Sequence, residues 1–558
     1  MSFASRLCAT VSITTLALSL AGAASAQPSR ETVIVTGTRD AAQAAADLQR
    51  IAGGAEVVAD TAFKNTPVQN IKDILGYVPG VITQPRMGDD ARISIRGSGL
   101  SRAYGARGLA MFYDGVVPLN TSDGLIDLFD IDPSAYRYVE VYRGANALRF
   151  GANALGGAIN LVTPTGRDAA PLDARVDAGS FGYVKGQAST GGASGAFDYF
   201  ATISGQRIDG YRQHSDGDAI RGNFNAGYQF SPDAETRFYL AATRTNQRIP
   251  GEITKAQALN TPTMANPVWV TQDQQRNVDS IRVANKTTLH LDHTVVDVGG
   301  FYSYRHVKHP IFQWLDYTVG DFGGFVRAED ERMVGGLRNR LTVGANLQNG
   351  TIDTQQFVNL AGAVKGALAA SMADTSTNLS VYAENSLYVQ PDLSVIVGMQ
   401  YLDAGRNRRD RFLTNGDQSG KKNYGLFSPR FGLLWDATPD WQVFANISRS
   451  AEIPTYDANS FASPASANLR AQRATTFEIG TRGRSGMIGW DFSLYRSNIK
   501  DELQCLTTGP FSACSIINVG RTVHQGIEAG LDATIPVSAF APGDSLAITA
   551  AYTYSDFY

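Results

Sequence analysis

Arginine is the residue type whose placement could do chemistry here. Arg86, Arg92, Arg102 and Arg107 cluster with Tyr104 around glycine-rich segments, and Arg406, Arg408, Arg409 and Arg411 crowd a second stretch. A guanidinium grips carboxylate or phosphate oxygens through two parallel bonds, so either group could capture an anionic chelate. Arg92 has the plainer alternative of simply facing out from a strand. His306 and His309, with Tyr302, Tyr304 and Tyr317, offer imidazole to a metal. No carboxylate stands at a defined spacing from them, and a solvated rim is the simpler reading. His214, His290, His293 and His524 form no recognisable site. Cys505 and Cys514, with eight residues between them, would close one loop by a disulfide in an oxidising compartment. A metal pair is the weaker alternative for them, since no further ligand lies near. No metalloprotease helix, nucleophile elbow, phosphate-binding loop or paired-carboxylate motif is found, so the chain reads as a non-enzyme with no resident metal or cofactor. The Gly151…Gly156-Gly157 run follows a strand but lacks an acidic ribose partner, so it reads as tight turns.

The elements that must position these residues are strands. Of 558 residues, 49 are Lys or Arg against 52 Asp or Glu, so there is no basic excess for nucleic acid. A hydrophobic fraction of 43% excludes intrinsic disorder. Residues 1–26 read as a secretory signal: Arg6, then an apolar run from Val11 to Leu20, then Ala24-Ser25-Ala26 before Gln27. No later apolar run reaches the ~18–20 residues of a spanning helix, so any membrane crossing must be made by strands. Beyond residue 166 alternating strands dominate, as in Phe197–Ser204, Glu235–Thr243, Trp441–Ser448 and Trp490–Ser497. One face is apolar, the other polar. The links alternate short (Ser231–Ala234, Gln390–Asp392, Thr438–Asp440) and long (near 210–220, 248–279, 309–322, 360–375, 409–424, 451–473 and 504–517). Sorting loops by parity is the mark of an outer-membrane barrel; a soluble sandwich has no reason to do so. The count is about seventeen strands. An odd, unclosed set would leave an open edge in lipid, so the chain is expected to lack C-terminal strands and not to close by itself.

Three runs in the first segment carry specific signals. Glu31, Thr32, Val33, Ile34, Val35 and Thr36 form a β-prone stretch just after the cleavage site, able to offer a free edge to a partner. Ile93-Ser-Ile-Arg-Gly-Ser-Gly99 ends a strand on an arginine. Val139-Glu-Val-Tyr-Arg-Gly…Phe-Gly151 is followed by Leu155-Gly-Gly-Ala-Ile-Asn-Leu-Val-Thr163. In order, these resemble the box and plug motifs of TonB-dependent outer-membrane receptors. Ser428–Trp435, Ser448–Thr455, Ala474–Gly480 and Asn518–Gly530 resemble that family's barrel landmarks, so the resemblance runs from Glu31 to the end.

The resemblance implies an all-β transmembrane barrel of about 22 strands with an N-terminal α+β plug inside its lumen. It divides the chain into a signal peptide (1–26), TonB box and linker (27–45), plug (46–166) and barrel (167–558). It also implies that Arg96 and Arg143 of the plug meet Glu478 and Glu528 of the barrel in a charge cluster, a latch rather than a ligand site. The bland alternative is four lumen charges in water. Arg86, Arg102, Tyr104 and Arg107 would then lie on apical plug loops, and the 406–411 arginines would meet either ligand or anionic lipopolysaccharide. Expected partners are TonB with its ExbB/ExbD energising complex, outer-membrane lipid, and an iron chelate such as a ferric siderophore or ferric citrate. Ile93–Asp114, Gly210–Ser215 and Pro250–Lys255 are also similar to receptors for pyrroloquinoline quinone; cobalamin, copper and oligosaccharide remain alternatives, and a passive porin or adhesin is the alternative of another class. Only four residues separate the cleavage site from the box, so no periplasmic signalling domain is expected between them.

Overall fold

The computed structural model describes residues 40–100, 106–151, 154–455, 468–506, 515–537, 539, 541 and 543–558. The signal segment, the Glu31–Thr36 box, Arg102, Tyr104 and Cys514 lie outside the described residues.

The N-terminal part begins with α1 (Ala41–Leu48), started by a capping box in which Asp40 and Gln43 satisfy each other's backbone N–H. A five-stranded sheet follows, built from β1 (Ala55–Ala59), β4 (Leu109–Tyr113), β5 (Val117–Pro118), β6 (Tyr138–Arg143) and β7 (Gly157–Val162), in the order β1-β6-β7-β4-β5. β4 and β7 run parallel and the other pairs antiparallel. A separate hairpin joins β2 (Val81–Pro85) to β3 (Ala91–Ile95), with α2 (Ile71–Leu75) beside it. Ile71, Leu75, Ile93, Leu109, Val139 and Ile159 form the core. Gly156 and Gly157 of the glycine-rich run serve close packing. A Cβ on Gly157 would fall 1.9 Å from the Tyr142 carbonyl oxygen, and one on Gly156 2.2 Å from Ser98 Oγ.

Among the described residues seventeen strands surround this domain, from β8 (Asp173–Ala178) to β24 (Ser545–Phe557), each antiparallel to the next. In β18 (Leu393–Asp410) the buried positions alternate with exposed ones, Gln400, Leu402, Arg406 and Arg408 facing the lumen and Val397, Met399 and Tyr401 facing out. That period of two, apolar outward and mostly polar inward, is what a strand between lipid and a filled lumen requires. Proline-aspartate turns at 232–233, 391–392 and 439–440 close one end of the barrel, and the long loops crowd the other.

The strands form a closed ring in which β24 neighbours β8, contrary to the open edge expected from an odd count. Sixteen antiparallel steps leave β8 and β24 pointing the same way, so the two strands that flank the seam are parallel neighbours, the arrangement that is less stable per residue. The seam is the barrel's least covered part: the first eight residues of β24 are exposed on both faces.

Two expected loops are strand. β14 (Thr294–Pro310) and β15 (Gln313–Val334) meet through residues 311–312, and β16 (Leu337–Leu360) and β17 (Val364–Gln390) through 361–363. β15, β16 and β17 have 22, 24 and 27 residues, where about ten suffice to cross a bilayer, so they stand far above the membrane. Arg406, Arg408 and Arg409 likewise sit in β18 rather than in a loop, with Arg411 just beyond it. Residues 249–274 do form a long connection, carrying α3 (Lys255–Asn260) and α4 (Pro267–Thr271).

Candidate functional site

The structure brings Arg96, Arg143, Glu478 and Glu528 to one point between plug and barrel. Arg96 follows β3 with φ of +53°, a left-handed conformation that costs a non-glycine residue about 1–3 kcal/mol and persists only where its surroundings hold it. Its Nε and Nη2 donate to Oε1 and Oε2 of Glu528, both at 2.8 Å, and Nη2 also donates to Glu478 Oε1 at 2.6 Å. Arg143, the last residue of β6, donates from Nη1 to Glu528 Oε2 at 2.9 Å and from Nη2 to Asp491 Oδ1 at 2.7 Å. Arg143 and Glu528 are both 0% exposed. Glu478 also accepts from the Gly54 N–H at 2.9 Å and the Asn446 amide at 2.8 Å. The Arg96 guanidinium lies 4.5 Å from the centre of the Tyr495 ring. His524 completes the arrangement. Its Nδ1 faces the Arg96 carbonyl at 3.1 Å, and a carbonyl only accepts, so Nδ1 carries the proton. Its Nε2 lies 3.3 Å from Glu502.

Asp491, Asn446 and His524 were not singled out by sequence reasoning. Only His524 carried a signal: it stands four residues before Glu528 on one strand, an even spacing that puts both on the lumen face. Next to the cluster, Arg482 of β21 (Gln472–Ser485) donates to the carbonyls of Gln49, Ile51 and Gly53 at 2.7, 2.8 and 3.2 Å. Arg430 and Asn446 each hold the Ala52 carbonyl at 2.9 Å. The segment leaving α1 is therefore strapped to the barrel wall. Glu56, on β1 just after the strap, is half-buried with Oε2 enclosed, and burial lifts its carboxyl to about 7, with Arg143 opposing and Asp491 and Asp532 adding.

A second arc of ion pairs grips the opposite side of the plug. Lys185 meets Asp132 at 2.8 Å, Arg305 meets Asp130 at 2.5 Å, and Arg282 pairs with the same Asp130. Arg221 pairs with Asp89 and Arg276 with Asp127. Burial alone would raise the Asp130 carboxyl; the guanidiniums of Arg282 and Arg305 outweigh it and hold the group well below the usual range.

The arginines proposed for ligand capture are placed differently from expectation. Arg86 pairs with Asp90 at 3.1 Å with its side chain 25% exposed, and Arg107 is 3% exposed. Arg408 makes a two-bond pair with Asp374 at 2.8 and 2.7 Å, Arg406 is buried, and Arg411 pairs with Asp353 at 2.7 Å. His306 and His309, three apart on β14, point to opposite sides of the wall. His306 pairs with Asp316 at 2.7 Å, and His309 Nδ1 faces the Gln275 carbonyl at 2.7 Å. One ion cannot bridge them, and no group of three or more metal-binding side chains occurs among the described residues. Tyr317 turns inward to Arg276, while Tyr302 and Tyr304 face out. Cys505 is disulfide-bonded.

A plug strapped and ion-paired inside a large barrel matches two family models. The model described as TonB-dependent receptor plug domain matches residues 47–158, and that for the TonB dependent receptor-like β-barrel matches 160–558. The chain belongs to the TonB-dependent receptor family. It is thus an outer-membrane receptor, not an enzyme. The ferric-pyoverdine M114 receptor PbuA of Pseudomonas sp. (strain M114) is 24% identical over 505 residues, covering 79% of this chain and 58% of that receptor. The chain therefore spans less than two thirds of that relative's length. The vitamin B12 transporter BtuB of Vibrio vulnificus (strain YJ016) is 22% identical over 502 residues, covering 89% and 75%. Among solved structures, the unliganded ferric citrate transporter FecA superposes with a TM-score of 0.78 at 18% identity, covering 93% of this chain and 80% of that one. The ferric yersiniabactin uptake receptor FyuA from Yersinia pestis gives 0.72 at 16%, covering 91% and 80%. At such identities the likeness is one of fold. In this TonB-dependent receptor the proline-aspartate turns mark the periplasmic end and the tall β14–β17 hairpins the outer face.

Proposed function

We propose that this receptor imports an anionic metal chelate, a ferric siderophore or a ferric-citrate-like complex, driven by TonB acting on Glu31–Thr36. The observation that carries active rather than passive transport is the latch. Two buried guanidiniums are bonded to three barrel carboxylates, so the lumen is closed by interactions that thermal motion seldom breaks all together. A porin has no use for such a plug. An adhesin has no use for the strap at residues 49–54, which lies next in the chain to the box and its linker. The iron cargo is supported by the relatives, named for ferric pyoverdine, ferric citrate and ferric yersiniabactin. With Arg86 bonded to Asp90, cargo capture on the plug falls to Arg102, Tyr104 and the segment around them.

The test titrates the purified receptor with ferric citrate, several ferric siderophores, their iron-free forms, pyrroloquinoline quinone and cobalamin, followed by tryptophan fluorescence. Uptake is measured in cells with and without residues 31–36. Tight binding of one ferric complex, with binding kept and uptake lost on deletion of 31–36, is the expected result. Binding of the quinone or of cobalamin with no response to iron complexes overturns the cargo. Unchanged uptake after the deletion overturns the TonB-driven mechanism.

A further inference from the structure

The outer face of the barrel changes character at one height on four neighbouring strands. These are β20 (Trp441–Glu452), β21, β22 (Ile488–Leu506) and β23 (Ser515–Pro536). Toward the periplasmic turns they show lipid an apolar face, with Ile447, Phe477, Ile479, Leu494 and Leu531 all exposed. Above that band the same face turns basic: Arg449 on β20, Arg473 on β21, Lys500 on β22 and Arg521 on β23 are exposed. Ser450, Ala474, Ile499 and His524 are buried inside, so the period of two points these four cations outward. Lys500 stands twelve residues up β22 from Ile488, about 30 Å along the barrel axis for a strand tilted near 40°. The apolar band of such a wall is about 25 Å tall, which puts the cations at the level of the outer headgroups.

Three of them stand side by side. Arg473 is the register partner of Lys500, and Lys500 that of Arg521, so two strand spacings of about 10 Å in all hold three positive charges. Like charges directly opposite one another destabilise a sheet, and the wall here supplies no relief. Asp501, next to Lys500 in the chain, is bonded to Arg470 at 2.8 Å. Asp556, lower on the wall, accepts from Gln525 at 3.0 Å. Among the described residues no carboxylate pairs with Arg473, Lys500 or Arg521. Other exposed cations of the barrel do bring a counter-charge: Arg244 has Asp279 at 2.7 Å, Arg248 has Asp216 at 3.1 Å, and Arg411 has Asp353 at 2.7 Å.

We propose that Arg473, Lys500 and Arg521 form a docking site for the phosphate headgroup of an outer-leaflet glycolipid. The two guanidiniums suit two-bond contact with phosphate oxygens, and the ammonium between them acts as a point charge. The acyl chains of the same lipid lie down the apolar residues below, which is why a membrane lipid fits this row better than a soluble anion. The site faces away from the lumen and does not depend on what the receptor imports. β21, β22 and β23 carry Glu478, Asp491 and Glu528 of the latch on their inner faces. A headgroup bridging the three strands from outside therefore ties together the wall to which the plug is locked.

The test follows unfolding temperature of the purified receptor in neutral detergent at physiological salt. Diphosphorylated lipid A, dephosphorylated lipid A and inorganic phosphate are titrated separately, and affinity is taken from the rise each produces. Diphosphorylated lipid A is expected to stabilise, and the combined Arg473→Gln, Lys500→Gln and Arg521→Gln variant to bind it tenfold or more weakly. Arg244→Gln should leave the affinity unchanged. Lys500→Glu sets a carboxylate between two arginines, so it should abolish the lipid response while raising the unfolding temperature without lipid. That rise separates a lost site from a lost fold. Affinity of the triple variant within threefold of the unsubstituted receptor overturns the proposal, as does a full lipid response in Lys500→Glu. Equal stabilisation by dephosphorylated lipid overturns it in favour of the apolar band alone, and equal stabilisation by inorganic phosphate in favour of a free-anion site.

Discussion

Replacing Glu528 by glutamine tests the latch most directly. The side chain keeps its shape, but three charge-assisted hydrogen bonds of 2.8, 2.8 and 2.9 Å lose their anionic acceptor. The glutamine NH2 would face guanidinium N–H groups that can only donate, so a buried donor is left without a partner on each side. Breaking a buried pair in this way costs about 3–5 kcal/mol, and because the site is fully enclosed little water enters to offset it. At 1.4 kcal/mol per factor of ten, the plug's opening equilibrium rises roughly 100- to 4,000-fold. The cost falls on the contact between plug and wall, so hydrogen exchange in purified receptor should show it locally. The Arg96 N–H, bonded to the Gly80 carbonyl at 3.2 Å, and the Gly54 N–H on Glu478 should exchange faster by about that factor. Amides of the β16–β17 ladder should not change. Adding Arg96→Gln should recover part of the loss, because it removes one of the two stranded cations. Arg244→Gln, which breaks an outward pair with Asp279 at 2.7 Å, should change nothing. Exchange at residues 95–97 altered by less than about threefold in Glu528→Gln would mean that the four charges are solvated neighbours rather than a latch.

Two further outcomes follow from the same interface. Arg482→Ala strips three carbonyl acceptors at residues 49, 51 and 53 of a buried cation, and should speed exchange across 50–54 roughly 100-fold while β3 stays protected. Glu56, lifted to about 7 by burial, holds its proton in the folded plug through a range where the unfolded chain, near 4.5, has lost it. Folded plug therefore binds more protons between those values, and its stability falls as pH rises through that window, by up to about 3 kcal/mol. Glu56→Gln should flatten that slope in urea unfolding compared at pH 5 and pH 8; an unchanged slope assigns the dependence to another group.

What was legible in the sequence and what was not divides along a physical line. Strand alternation, loop parity and the strand count depend on period and turn residues, which are local; Gly156-Gly157, read as tight turns, serve close packing against Ser98 and Tyr142, which no local pattern reveals. Closure was not legible, because whether an odd ring seals depends on tilt and register shared by all seventeen strands. Residues 309–322 read as a loop because Pro310 and the glycines after it break the pattern. Above the membrane both faces of a strand meet water, so the apolar–polar alternation that marks a strand in lipid fades. The arginines were misjudged for a related reason. Arg406 and Arg408 are spaced by two, which on a strand puts both on one face, here the lumen, where Asp374 waits on the neighbouring β17. Sequence shows a charge; it does not show whether the wall beside it supplies the counter-charge.

The order of contacts along the chain gives the latch a mechanical sense. A pull on the segment before Asp40 reaches α1 first, then the 49–53 strap, then Gly54, whose N–H is bonded to Glu478. Glu478 is shared: Oε1, the oxygen that accepts from the Gly54 N–H, also accepts from Arg96, the residue with strained backbone. Force applied at the N-terminus therefore loads the strap bonds one after another rather than all together. Each break costs no more than a few kcal/mol. Once Gly54 leaves, Glu478 loses one of the donors that fix its position, and its grip on Arg96 weakens before Arg96 itself is pulled. The strain stored at φ +53° then favours release. A latch built so is strong against thermal opening, which must break many bonds at once, and weak against a directed pull from one end. Under the import reading proposed above, that asymmetry would separate a gate from a stopper, with one glutamate serving both the strap and the lock.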